Sequence, residues 1–236
     1  VKAYLEVDST NETARMSPDW TAVVANRQSR GRGRHGRIWQ SGLGGLWCSL
    51  VLPTPGPVCH WESLPLAVGL AVIRTLQRWE IDARLRWPND IMVDDRKLAG
   101  LLLERYDPGR VVVGIGLNIR NDPAEDDPSL AALVTTLSQL LPLAPQRDEV
   151  LVQLLECVRH THQMMNQLGI EGLLTDLNSL WGSLPRTVRL ILPDRQIEGS
   201  FLGVDSRGRL RLERSPGKLE MFSPAHVTQL IECQPH

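Results

Sequence analysis

Nowhere does the 236-residue chain hold the roughly 18–20 consecutive apolar positions that a membrane-spanning helix needs. The longest candidate, Leu64 to Leu76, carries Arg74 and is too short. The opening Val1-Lys2-Ala3-Tyr4 has no apolar core of a secretory signal. Net charge is also lacking. At a formal −1, no global field draws the protein onto nucleic acid or membrane, so any anion binding has to be local. The four cysteines (48, 59, 157, 233) form no C-x-x-C pair and no dense framework, a usage that fits reduced thiols and a cytoplasmic protein. Motifs of common chemistries are absent as well: no G-x-S-x-G elbow, no G-x-x-x-x-G-K-[ST] phosphate loop, no G-x-G-x-x-G after a strand. His160 and His162 would point about 200° apart on a helix, which excludes a metal pair. A missing phosphate loop does not exclude a nucleotide, because arginine forks bind phosphate in other folds.

What is present reads as a mixed α/β layout. Residues 21–25 and 46–52 predict buried strands, the second entered through Gly42, Gly44 and Gly45 and stopped at Pro53. Residues 64–79 predict a mostly buried helix. Pro88-Asn89-Asp90 marks a turn between short strands, and Asp94-Asp95 a hairpin turn into residues 97–104. Val111 to Gly116 predicts another buried strand. Residues 129–141 and 148–168 predict helices, all packed on one side of the strands. Composition changes after Trp181-Gly182. Four or five short alternating runs from Thr187 onward predict a small β-barrel of about fifty residues. The expected division is therefore 1–182 and 183–236.

Four segments carry chemistry. Residues 27–37 hold five arginines (27, 30, 32, 34, 37) and no acid, and glycines 31, 33 and 36 allow positive φ and close approach to a ligand. Taken alone, this run fits an RNA-binding Arg-Gly patch as well as an ordered anion-binding loop. Asp90 and Lys97 lie across a turn and are able to face one site; a solvated surface hairpin is the plainer alternative. Gly114-Ile115-Gly116-Leu117-Asn118 puts two glycines in an apolar strand, for a bulge or for something that must approach the backbone. Asp8-Ser9-Thr10-Asn11-Glu12 reads as a helix N-cap whose N–H groups are also able to bind a polar ligand.

In this order the segments resemble the biotin protein ligase family. The match comprises Asp8 to Asn11, Gln28, Gly31 to Arg37 with Trp39, and Ser41 to Trp47. Trp87-Pro88-Asn89-Asp90, Lys97-Leu98-Ala99-Gly100 and Gly114-x-Gly116-x-Asn118 complete it. The resemblance implies an α+β fold: a mixed sheet with packed helices, like the class II aminoacyl-tRNA synthetases, plus a small C-terminal SH3-like β-barrel. It implies the form without an N-terminal DNA-binding domain, hence no DNA partner and no operon repressor. The implied reaction joins biotin to ATP, with Mg²⁺, and passes biotin to one lysine of the biotin carboxyl carrier domain of acetyl-CoA carboxylase. The protein would act as a monomer or homodimer.

By position, Ser9, Thr10 and Gln28 match contacts to the biotin head, with Asn11 close by. Arg32, Gly33 and Arg34 match the loop that folds over biotin and adenylate. Lys97 matches the lysine between the biotin carboxylate and the α-phosphate, which makes Lys97, Arg32 and Arg34 the expected catalytic group. Gly100 and Gly116 match backbone positions lining the pocket. Arg32, Arg34, Asp90, Lys97 and Asn118 are the expected ATP contacts, and Asp90 matches the acid that helps the arginine loop or holds a magnesium ion. The physics agrees, because a carboxylate brought to about 4 Å from a phosphate at an effective dielectric near 20 meets repulsion on the order of 4 kcal/mol. Fixed cations are needed there. Arg86 and Arg30 depart from the family pattern, which usually has Lys and a small residue at those places. Rival readings are a lipoate or octanoyl ligase of the same superfamily, an RNA-binding module and a non-catalytic ligand sensor.

Overall fold

A computed structural model describes residues 1–54, 63–181 and 186–233. The first sheet and its helices are built from β1 (Lys2–Val7), α1 (Thr10–Ala14), β2 (Ala22–Gln28), β3 (Leu46–Pro53) and α2 (Leu64–Leu76). β4 (Arg84–Arg86), β5 (Asp90–Val93), β6 (Arg96–Asp107), β7 (Arg110–Leu117), α3 (Pro123–Asp126), α4 (Leu137–Leu140), α5 (Arg147–Leu168) and α6 (Leu174–Ser179) follow. The second sheet holds β8 (Arg186–Ile191), β9 (Gln196–Val204), β10 (Leu210–Ser215), β11 (Lys218–Phe222) and β12 (Gln229–Glu232). The seven strands of the first run β1-β2-β3-β7-β6-β5-β4, and only β1 pairs in parallel. The five of the second run β11-β10-β9-β8-β12, all antiparallel. This is the expected mixed sheet with packed helices and a small C-terminal β domain. The expected boundary at 182/183 and Cys59 lie outside the described residues.

Strand alternation decides where the site sits. Register pairs Ser49 with Gly114, Val51 with Val112 and Trp47 with Gly116, and on the next strand Gly100 with Gly116 and Glu104 with Val112. These residues share one face. Their neighbours Cys48, Leu50, Leu52, Val111, Val113 and Ile115 point to the other, where α2 and α5 close the main core. α1 lies on the first face, its Ala14 packed on Val23, Val51 and Val112. The helices therefore do not all lie on one side, as expected from sequence. α2 and α5 cover one face; α1 and the arginine loop cover the other.

α2 is buried on nearly every side, as its run of Leu, Ala, Val and Ile dictates. α5 starts with Asp148 and Glu149 in its first turn, favourable for the helix dipole, and ends at Gly169 with φ 68°. Residues 129–141 are not the expected helix. They form a short 3-10 turn, an extended stretch bridged to β6 at Lys97–Val134, and the one-turn α4. Main-chain bonds from Lys97 N to Leu133 O (2.8 Å) and from Thr135 N to Lys97 O (3.0 Å) hold that stretch beside the start of β6, ahead of its pairing with β7.

On α5, buried His162 donates from Nε2 to Pro53 O (2.8 Å), and its Nδ1 lies 3.1 Å from Asn166 Nδ2. Burial lowers its pKa below 6.5, outweighing the Pro53 carbonyl. The unfolded chain therefore binds this proton more readily than the native one, and acid favours unfolding. Urea melts should show stability falling as pH drops through 6.5 and levelling below the lowered native pKa. His162→Gln should flatten that slope.

Candidate active site

The expected residues converge. Ser9, Thr10, Asn11, Gln28, Arg32, Gly33 and Arg34 line one cavity of about 250 Å³ on the α1 face, together with Asp90, Lys97, Gly100, Gly116 and Asn118. Helix α1 supplies one end, β6 and β7 the floor, the arginine loop one wall. A further wall comes from Thr228, Gln229 and Leu230 of the second sheet, which sequence reasoning missed.

The polar end is a connected network. Gln28 Oε1 accepts from Thr10 N (2.8 Å) and Thr10 Oγ1 (3.0 Å), and Gln28 Nε2 donates to Ser41 Oγ (2.8 Å). Buried Ser49 lies 2.7 Å from Thr10 Oγ1 and 2.6 Å from Asn11 Oδ1. Asn11 Nδ2 donates to Leu102 O (3.3 Å) and Glu104 Oε2 (2.7 Å). Asn11 and Gln28 are therefore committed to bracing α1. Ser9 holds the N-cap backbone position, but its hydroxyl makes no cap bond, contrary to the capping expectation. Ser41 opened the matched segment Ser41 to Trp47 without a role of its own, and Ser49 and Glu104 were not singled out from sequence. A lone serine inside the apolar run Leu46 to Leu52 was the available signal.

The glycines act by close approach. A Cβ on Gly116 would fall 2.5 Å from the Trp39 indole, one on Gly100 2.8 Å from the same ring, and one on Gly114 2.4 Å from Asn11 Oδ1. No bulge occurs at 114–116, where the ladder to β3 and β6 is continuous. Trp39 thus lies flat on the floor, with Lys97 Nζ 5.0 Å from its ring centre and its buried N–H without a hydrogen-bond partner. Of the arginine-loop glycines only Gly36 takes positive φ (72°), and its neighbour His35 takes it too, at 55°.

The cations are fixed by different partners. Lys97 Nζ meets Asp90 Oδ1 at 2.6 Å, and Arg86 meets Asp90 Oδ2 at 3.0 Å. The hairpin is therefore no solvated loop, and Arg86 keeps a cation beside Asp90. Burial would raise the Asp90 pKa, but Lys97 and Arg86 overcome it and hold the carboxyl below its usual range. Arg32 Nη2 sits 3.4 Å from both Glu12 and Glu104. Arg34 reaches across to the second sheet, donating to Pro224 O (2.6 Å) and Val227 O (3.0 Å), with Asn89 Oδ1 at 3.4 Å. Burial, opposed by Asp90, lowers its pKa. Exposed Arg30 pairs loosely with Asp8 at 3.8 Å. Asn118 is buried, with its amide on Thr135 O (3.1 Å) and Asn121 (3.0 Å), so it pins the neighbouring segment.

A resident metal ion does not fit this donor set. Both oxygens of Asp90, the expected magnesium ligand, are on cations, and no group of three His, Cys, Asp or Glu side chains able to hold a metal occurs among the described residues. Among the described residues Cys48, Cys157 and Cys233 form no disulfide, and burial pushes the Cys48 thiol up to about 12, leaving it inert.

A polar cradle at one end of a cavity and fixed cations beside it define a ligase-like activation site, and comparison with known proteins gives the class. Residues 7–121 match the model of the biotin/lipoate A/B protein ligase family, and residues 185–225 match that of the biotin protein ligase C-terminal domain. The biotin–[acetyl-CoA-carboxylase] ligase of Mycobacterium tuberculosis is 34% identical over 220 residues, covering 90% of this chain and 80% of that protein. The bifunctional ligase/repressor BirA of Bacillus subtilis is 31% identical over 232 residues, covering 92% and 70%. Among solved structures, the Aquifex aeolicus biotin protein ligase in complex with biotin and ATP superposes with a TM-score of 0.85 at 29% identity, covering 98% and 99%. The chain belongs to the biotin protein ligase family.

Proposed function

We propose that this protein activates biotin with ATP to biotinyl-5′-AMP and transfers biotin to a lysine of a carrier domain. One observation carries the reading: the hydroxyl and amide network at Ser9 to Asn11 and the cations Lys97, Arg32 and Arg34 line the same cavity. In the first step a biotin carboxylate oxygen attacks the α-phosphorus, the α–β anhydride bond breaks and pyrophosphate leaves. In the second the acceptor amine attacks the acyl carbon and AMP leaves.

Ser9 and Thr10 hold the polar head of biotin, oriented by Gln28 and Asn11. Gly33 lets the loop backbone come close to its body, and Gly100 and Gly116 seat the Trp39 ring beside it. Lys97 and Arg32 neutralise the meeting carboxylate and phosphate, where fixed charge counts most as charge builds on the transferring group. Asp90 holds Lys97 in place, Asn118 braces the segment beside the nucleotide end, and Arg34 holds the loop shut over both ligands, excluding water from the mixed anhydride. Magnesium enters on the ATP phosphates, since it is commonly held by substrate oxygens with few protein ligands.

We assign residues 1–182 to the catalytic unit and 183–236 to the small C-terminal domain. The acceptor is the biotin carboxyl carrier domain of acetyl-CoA carboxylase, a reading supported by the activity named for the Mycobacterium tuberculosis relative. The protein works in the cytoplasm, as its unpaired cysteines suit, as a monomer or homodimer. No helix among the described residues is long and apolar enough to cross a membrane.

The polar cradle favours biotin over lipoate, whose acyl chain ends in an apolar dithiolane. Coupled detection of pyrophosphate should show release with biotin, ATP and Mg²⁺ and none above background with lipoate. Release with lipoate alone would overturn the assignment.

A further inference from the structure

Arg32 meets the cavity with two carboxylates behind it. Its side chain lines the cavity, whereas Glu12 and Glu104, each 3.4 Å from Arg32 Nη2, do not. The two acids are held differently. Glu12 on α1 is half exposed and shared with Arg15 at 3.4 Å. Glu104 stands on β6, within the part paired with β7 from Ala99 to Asp107, and its side chain is 27% exposed. Its Oε2 accepts from Asn11 Nδ2 (2.7 Å) and Tyr106 OH (3.0 Å), which leaves Oε1 for Arg32. Burial, and then the charge of Glu104 itself, raises the Tyr106 pKa, so the phenol remains a donor. This carboxylate cannot turn away without breaking two bonds.

We infer that Glu104 is a positioning residue for adenylation: it holds Arg32 at the cavity wall before ligand arrives, so the guanidinium meets the reacting anions already oriented. The inference rests on the ligase reading above, and Glu104 itself touches no substrate. Preorganisation of this kind acts by removing the ordering cost from the binding and activation steps. The contacts to a half-exposed arginine are loose, so by the measured worth of such pairs Glu104→Gln should cost about threefold.

The test joins two readouts. Biotin-dependent pyrophosphate release is measured for the wild type, Glu104→Gln, Arg32→Ala and the double variant. Glu104→Gln should lower kcat/KM about threefold, and should add nothing on the Arg32→Ala background. A purely structural role would instead multiply the two losses. In ligand-free protein, trypsin should cut within residues 27–37 about threefold faster in Glu104→Gln, because the loop has lost its tether. Glu104→Asp keeps the charge but withdraws it from Arg32; it should show the same loss if Glu104→Gln fails to fold. Multiplied losses, or trypsin rates equal to wild type, would overturn the role of Glu104. A wild type that releases no pyrophosphate would overturn the ligase reading instead, and the trypsin rates would still decide the positioning.

Discussion

Replacing Lys97 by alanine is expected to cut biotin-dependent pyrophosphate release by about 10²–10³-fold, the usual worth of a fixed electrostatic group aimed at developing charge. Lys97 is placed for that duty by the β5–β6 hairpin, where Asp90 holds Nζ at 2.6 Å and the Trp39 ring lies beneath it. Lys97 and Arg86 hold the Asp90 carboxyl below its usual range, so Asp90 stays a carboxylate through the neutral range and keeps its hold on Lys97. After the substitution Arg86 still compensates Asp90 at 3.0 Å, so the fold should survive. Rapid-quench assays beside circular dichroism would separate the two effects. Near wild-type pyrophosphate release in a folded variant would remove Lys97 from the mechanism.

Arg34→Ala is expected to weaken biotin binding by roughly 30- to 100-fold, from the loss of two bonds of a charged donor worth about 1.5–3 kcal/mol each, partly replaced by water. Its guanidinium joins the loop to the carbonyls of Pro224 and Val227, and so ties the two sheets together across the cavity. Truncation leaves both carbonyls unpaired and opens one wall. Arg30→Ala is the matched control: that side chain is 80% exposed and 3.8 Å from Asp8, so affinity should not change measurably. Calorimetric titration of biotin into the three proteins decides between a shared charge effect and this specific tie. Equal affinities for wild type and Arg34→Ala would refute it.

Much of the fold was legible because its strands are buried. Runs such as Leu46 to Leu52 and Val111 to Leu117 lie between two covered faces and read as apolar throughout. β1 was missed for the opposite reason. It is a sheet-edge strand whose side chains are exposed on both faces, so neither burial nor alternation marks it. Residues 129–141 misled because Leu130, Leu133, Val134 and Leu137 fall at helical spacing. Pairing of Val134 with Lys97 overrides that local preference.

The cavity residues were legible as segments, but their partners were not. Sequence order gives no hint that Glu104 stands behind Arg32, that Gly114 makes room for Asn11, or that Pro224 and Val227 receive Arg34. Those contacts depend on register between strands and on how the second sheet docks. The resemblance gave Gln28 and Asn118 as ligand contacts, with Asn11 close by, but no hint of the bonds their amides make within the protein.

The most direct test of the central claim is intact-mass analysis of a purified biotin carboxyl carrier domain incubated with this protein, biotin, ATP and Mg²⁺. The account predicts a single biotinyl adduct on one lysine, dependent on all three small molecules and lost with Lys97→Ala. An unmodified carrier domain in the presence of folded wild-type protein, or an adduct that forms without ATP, would contradict it.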